Sequence, residues 1–104
     1  MSLTAWLSGG AESAARTLAQ TFCEQFPASM EAMKGRKTLE IRNRAIIRLL
    51  DEAIALQRER RMGILRKILF IRAFQAALVD AGYSDDMVRP LVSELSSKIT
   101  FANR

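Results

Sequence analysis

Helical periodicity between residues 38 and 81 limits the fold of this chain more than any other feature. Apolar side chains recur there at the three- and four-residue spacing of an α-helix, and Gly63 is the one helix-breaking residue in the stretch. A single helix of that length would far exceed the mean of 10–14 residues and would leave its apolar face uncovered in a monomer. We therefore predict a helical hairpin over residues 38–81. One continuous helix in a dimer is the alternative.

The two arms of this hairpin distribute their apolar residues differently. From its predicted N-cap, Thr38, the first arm places aliphatic residues on one side and most charged residues on the other. In the second arm, residues 64–81, large apolar side chains cover well over half of the circumference: Ile64, Leu65, Ile68, Leu69, Phe70, Ile71, Phe74, Leu78 and Val79. Because a helix that is apolar nearly all round must be buried nearly all round, we expect the second arm to be the central helix, or to face another chain.

Two further helices are predicted on either side of the hairpin, over residues 11–26 and 84–100. Pro27 ends the first, and Gly82 followed by the N-cap residue Ser84 separates the hairpin from the last. Pro90 should either kink that last helix or begin a restarted one. No strand pattern competes. The prediction is a single all-α domain over residues 1–104, a small bundle of about four helices, with a short apolar leader at 1–10 and a frayed tail at 101–104.

The inventory of reactive side chains argues against chemistry. The chain has 104 residues, no histidine and one cysteine, Cys23, so it lacks the commonest general base, the commonest transition-metal ligand and any thiol cluster. The adjacent carboxylates at 51–52 and 85–86 point about 100° apart on a helix, so neither pair forms an acid–base dyad. We predict no catalytic, cofactor or metal site and therefore no enzyme.

Nothing in the sequence predicts a membrane or secretory segment. The start of the chain has no basic region followed by a long apolar run, and basic and acidic residues interrupt the most apolar stretch, residues 64–81. We expect a cytoplasmic protein.

Positive charge is concentrated near the turn of the hairpin. The net charge is +5, and residues 58–67 carry five bases against the single acid Glu59. These bases, Arg58, Arg60, Arg61, Arg66 and Lys67, are the predicted contacts to a nucleic acid or another anion. Farther back on the first arm, bases alternate with acids at helical spacing, which is typical of a solvated face.

Excess apolar surface indicates more about function than the basic residues at 58–67 do. A chain this short has few elements with which to surround the helix at 64–81, so the uncovered remainder becomes an interface. We predict that Leu69, Phe70 and Phe74 line this interface, with Trp6 of the leader as an additional anchor. The favoured function is a non-enzymatic protein–protein interaction or oligomerisation module, such as an adaptor or regulatory subunit. Its predicted partner is a second copy, as a homodimer, or another helical protein. The alternative is a nucleic-acid-binding protein that uses residues 58–67 for sequence-independent phosphate contacts.

Overall fold

A computed structural model describes residues 10–102 of the chain, except for the side chains of residues 101 and 102. Over this range the chain forms four α-helices and no strand, which confirms the prediction of a small all-α bundle. The helices are α1 (Ala11–Gln25), α2 (Arg36–Arg60), α3 (Ile64–Asp80) and α4 (Asp85–Ala102), with a 3₁₀ turn at Ala28–Met30 between α1 and α2.

The four helices contact one another in a closed ring. The most extensive contact joins α1 to α3, the next joins α2 to α4, and contacts of α1 with α2 and of α3 with α4 complete the ring. The two arms of the predicted hairpin are therefore separate helices joined by a turn, as expected. They do not pack along one another, however, because α3 packs on α1 and α4 instead.

The observed helix ends differ from the predicted ones for local reasons. The α2 helix begins at Arg36, two residues before the predicted cap Thr38, and its N-cap is Gly35 at φ +133°, a backbone angle that glycine adopts without strain. Pro90 lies inside one continuous helix, so of the two predicted alternatives, a kink or a restart, the restart is not observed. That helix also includes Phe101 and Ala102, which the prediction assigned to a tail.

The inner face of α2 includes two alanines, and most of the large aliphatic residues of the helix lie outside it. Ala45, Leu49, Ala53 and Gln57 are buried at successive four-residue steps. Of the large side chains that the periodicity assigned to the apolar face, Leu49 is buried, and the others, such as Ile47, are exposed or half-buried. Ala45 and Ala53 lie one helical turn before and after Leu49. Because their side chains are small, the backbone of α2 can approach its neighbours closely, as dense packing requires.

A Schellman motif ends α3 and starts the connection to α4. The N–H of Tyr83 donates to the carbonyl of Leu78 at 3.3 Å, and the N–H of Gly82 donates to the carbonyl of Val79 at 3.0 Å. Gly82 takes φ +100°, as the left-handed position of this motif requires. The sequence prediction that Gly82 ends this helix is confirmed.

Side-chain hydrogen bonds hold the α1–α2 connection against the α3–α4 connection. The hydroxyl of Tyr83 donates to the carbonyl of Phe26, and the Glu31 carboxylate accepts from the N–H of Ser84 at 2.8 Å and from the Ser84 hydroxyl. A carboxylate is favourable at this place because Ser84 directly precedes the N-terminus of α4. One end of the bundle is therefore fixed by polar contacts between its two loops.

Candidate interaction surfaces

The side of α3 that faces the core is formed by its aromatic residues. Phe70, Phe74 and Leu78 are fully buried at four-residue spacing against the other helices. The prediction that Phe70 and Phe74 contact a partner is therefore wrong, because burial within the chain leaves these side chains no surface for another molecule. Their size explains the outcome, since the largest apolar side chains gain most from leaving water.

The opposite side of α3 stays uncovered. Ile64, Leu65, Ile68 and Val79 are exposed, with 79% of Ile64 and 51% of Val79 accessible to solvent. The helix is thus not surrounded by the bundle, and the expectation that it would be the central helix, buried on all sides, is wrong. Its outer surface remains exposed, and exposed apolar surfaces are where interaction sites are sought.

Part of this outer surface follows the spacing of a helix–helix interface. Leu65, Leu69, Arg72, Ala76 and Val79 recur at alternating four- and three-residue steps, which places them along one line on α3. We call these five residues the outer seam. Leu69, the half-buried member, was predicted as an interface residue, and the other four are exposed. Sequence reasoning missed those four as interface residues because it favoured the larger aromatic side chains of the same helix, although the four- and three-residue spacing is present in the sequence.

An open groove of about 730 Å³ runs between α1 and α3 beside the outer seam. Its floor consists of small or half-buried side chains: Ala19, Cys23, Leu69, Ala73, Ala76 and Ala77. Because these side chains are short, another helix could approach the backbones of α1 and α3 closely here. Helices commonly bind in such grooves through residues at helical spacing.

Charged residues of both signs border this groove. Glu12 and Arg16 lie on the α1 side, where Nη1 of Arg16 is 3.9 Å from Oε2 of Glu12. Arg72 and Asp80 lie on the α3 side. They are eight residues apart on one helix, a separation of about 12 Å along the axis, which is too far for these two side chains to pair with each other.

The basic turn between α2 and α3 has a well-defined backbone. Arg61 adopts the left-handed conformation, φ 49° and ψ 58°, and its N–H donates to the carbonyl of Gln57 at 2.7 Å. Met62 is buried, and its carbonyl accepts a hydrogen bond of 3.2 Å from Nε2 of Gln57. Gly63, which the sequence suggested as the helix breaker, has an ordinary negative φ. The left-handed residue is therefore Arg61.

The structure brings most of the predicted anion contacts to the surface. Arg58, Arg60 and Arg61 are exposed, whereas Arg66 and Lys67 on the first turn of α3 are half-buried. Trp6, the predicted additional anchor, lies in the leader outside the described residues. Among residues 10–102, no group of three or more potential metal-ligating side chains is found, and no helix is long and apolar enough to cross a membrane.

Comparisons with models of protein families, with curated proteins and with solved structures find no match to this chain.

Proposed function

We propose that this protein is a non-enzymatic helical interaction module that forms a homodimer through the outer seam of α3. The observation that carries the proposal is that four of the five seam residues are exposed although the core of the chain is already filled by Phe70, Phe74 and their neighbours. An apolar helix face that its own bundle does not cover is best buried by a second copy, since two-fold homodimers are the commonest assembly.

Antiparallel packing of two α3 helices fits the sequence of the seam. With Leu69 opposite Val79 of the second copy, Arg72 lies opposite Ala76 of the second copy, and the two-fold axis repeats both contacts. Leu69 and Val79 then supply apolar contact, and the methyl group of Ala76 leaves room for the aliphatic part of Arg72. Four of the five seam residues are apolar, as in helix pairs that pack at this spacing.

Charge complementarity favours the same arrangement. Side chains on a helix point toward its N-terminus, so Arg72 is directed toward the level of Ile68, which in this pairing is the level of Asp80 of the second copy. Asp80 of the second copy is likewise directed toward Arg72. The two groups that are too far apart to pair within one chain would thus pair twice across the dimer.

A charge exchange tests this arrangement. We expect light scattering coupled to size exclusion to give the mass of a dimer for the unaltered protein. Arg72→Asp and Asp80→Arg should each weaken the dimer about tenfold or more, because each places like charges together. The combined variant R72D/D80R should restore the dimer, since it recreates the pair with its partners exchanged.

The matched control is Arg89→Asp, which makes the same charge change at an exposed position of α4. This variant should keep the mass of the unaltered protein. The proposal is contradicted if the unaltered protein is a monomer at high concentration, or if the combined variant is as weakened as either single variant.

A further inference from the structure

Exposed apolar residues and the basic turn, which were predicted as two separate surfaces, meet at the N-terminal end of α3. Ile64 and Leu65 are 79% and 60% exposed, and they lie on the first turn of the helix directly after the basic turn. We call Ile64, Leu65 and the five bases of residues 58–67 the apolar-basic tip. These five bases are accompanied by one acid, Glu59, which leaves a net charge of +4 on this segment.

We propose that the apolar-basic tip binds the surface of an anionic lipid membrane. Ile64 and Leu65 would enter the boundary between headgroups and acyl chains, while the surrounding arginine and lysine side chains contact lipid phosphates and carboxylates. Peripheral proteins combine these two contributions in this way, because apolar burial and attraction to anionic lipids add together. This proposal goes beyond the homodimer and does not depend on it.

The combination of side chains distinguishes a lipid surface from the other anionic partners. A nucleic acid would use the bases but would leave both aliphatic side chains in water, and residues 58–68 contain no aromatic residue on which a base could stack. A second copy of the same tip is disfavoured, because it would bring two clusters of positive charge together. An anionic lipid surface uses both halves, since its headgroups contact the bases and its acyl chains cover the two aliphatic side chains.

The backbone of the turn holds the tip in an outward position. Met62 is buried and its carbonyl is bound by Gln57, so the turn is anchored from beneath immediately before Ile64. Apart from its two neighbours in the chain, Gly63 has no heavy atom within 4 Å of the place where a Cβ would stand. Together with the exposure of Ile64 and Leu65, this shows that the turn faces open space, so binding requires no rearrangement of the core.

Sedimentation with lipid vesicles tests the proposal on the full chain. We expect binding to vesicles of phosphatidylcholine mixed with phosphatidylserine at low salt, weak or no binding to phosphatidylcholine alone, and weaker binding as salt rises. The variant I64S/L65S should bind the anionic vesicles about tenfold more weakly or worse. The variant R61Q/K67Q should lose roughly fivefold for each charge removed.

The matched control is Ile47→Ser on α2, because Ile47 is 61% exposed, close to the value for Leu65, but lies away from the tip. It should bind as the unaltered protein does. Absence of binding to anionic vesicles at low salt overturns the proposal. It is also overturned if I64S/L65S binds normally while a nucleic-acid duplex competes fully, since that outcome identifies a purely electrostatic phosphate contact. The mass of I64S/L65S, measured on the same samples, separates this test from that of the homodimer.

Discussion

The hydroxyl of Tyr83 donates a hydrogen bond to the backbone carbonyl of Phe26, which lies 57 positions earlier in the chain. The Tyr83 ring also packs on Phe22, with 5.7 Å between the ring centroids. The carbonyl of Phe26 belongs to the end of α1, where helical hydrogen bonding stops and carbonyl groups need other partners. This one side chain therefore completes the end of α1 from the connection between α3 and α4.

Removal of the Tyr83 hydroxyl should destabilise the protein. Tyr83→Phe keeps the ring contact with Phe22 and leaves the Phe26 carbonyl without this buried donor, so we expect the free energy of unfolding to fall by about 1–3 kcal/mol. Urea denaturation measures this change. The control is Thr100→Val, which removes a hydroxyl bound to the Ser96 carbonyl at an exposed position and should cost less than about 0.5 kcal/mol. Equal losses of unfolding free energy in the two variants would contradict the prediction, because the buried hydrogen bond of Tyr83 would then stabilise the protein no more than the exposed one of Thr100.

Stability should decline in alkaline solution because of the same residue. Burial, first of all, and the neighbouring Cys23 and Glu31 groups raise the pKa of Tyr83 well above its ordinary value of 10.0. The folded protein then holds this proton more tightly than the unfolded chain does. The resulting stability is fully present below pH 10 and is lost progressively as the pH rises toward the folded pKa, by at most about 1.4 kcal/mol per pH unit. Unfolding free energies measured from pH 8 upward should show this decline, and Y83F should decline less steeply.

Two residues with left-handed backbones should respond to substitution with opposite signs. Gly82→Ala places a side chain at φ +100° and should cost about 1–2 kcal/mol, a backbone effect, since the added Cβ meets Ala28 only at an ordinary 3.7 Å. Arg61→Gly relieves the same kind of strain and should raise the unfolding free energy by about 0.5–1 kcal/mol. Thermal unfolding of both variants provides the comparison. A loss of stability in R61G would contradict the strain assigned to Arg61.

The two sides of α3 should differ sharply in their sensitivity to truncation. Phe70→Ala removes a fully buried ring and should cost about 3–5 kcal/mol of unfolding free energy. Leu65→Ala changes an exposed side chain and should cost less than about 0.5 kcal/mol when measured on the monomer at low concentration. Chemical denaturation of both variants measures the two losses of unfolding free energy. Comparable losses would mean that the outer seam belongs to the core of the chain.

The sequence was sufficient to predict the helices and several of their ends, because periodicity, Pro27 and Gly82 act locally. It was insufficient to choose which side of α3 faces inward, since that helix carries two apolar stripes and the choice depends on how the rings of Phe70 and Phe74 fit against the other helices. Ala45 was missed on the inner face of α2 for a similar reason: hydrophobicity alone ranks Ile47 above Ala45, whereas close helix packing favours the smaller residue. Local preference favours Gly63 over Arg61 as the left-handed residue of the turn, because glycine adopts positive φ without strain, so the observed position at Arg61 could not be predicted from the sequence.

The order of helices around the ring has a consequence for synthesis of the chain on the ribosome. The most extensive contact of α2 is with α4, and that of α1 is with α3, so neither of the first two helices finds its principal neighbour in the segment that directly follows it. A nascent chain that has emerged only as far as the turn at residues 61–63 must hold α1 and α2 with their inner faces largely wet. The core of this bundle can therefore close only after α3 and α4 have left the ribosome, and until then the nascent chain benefits from protection against aggregation.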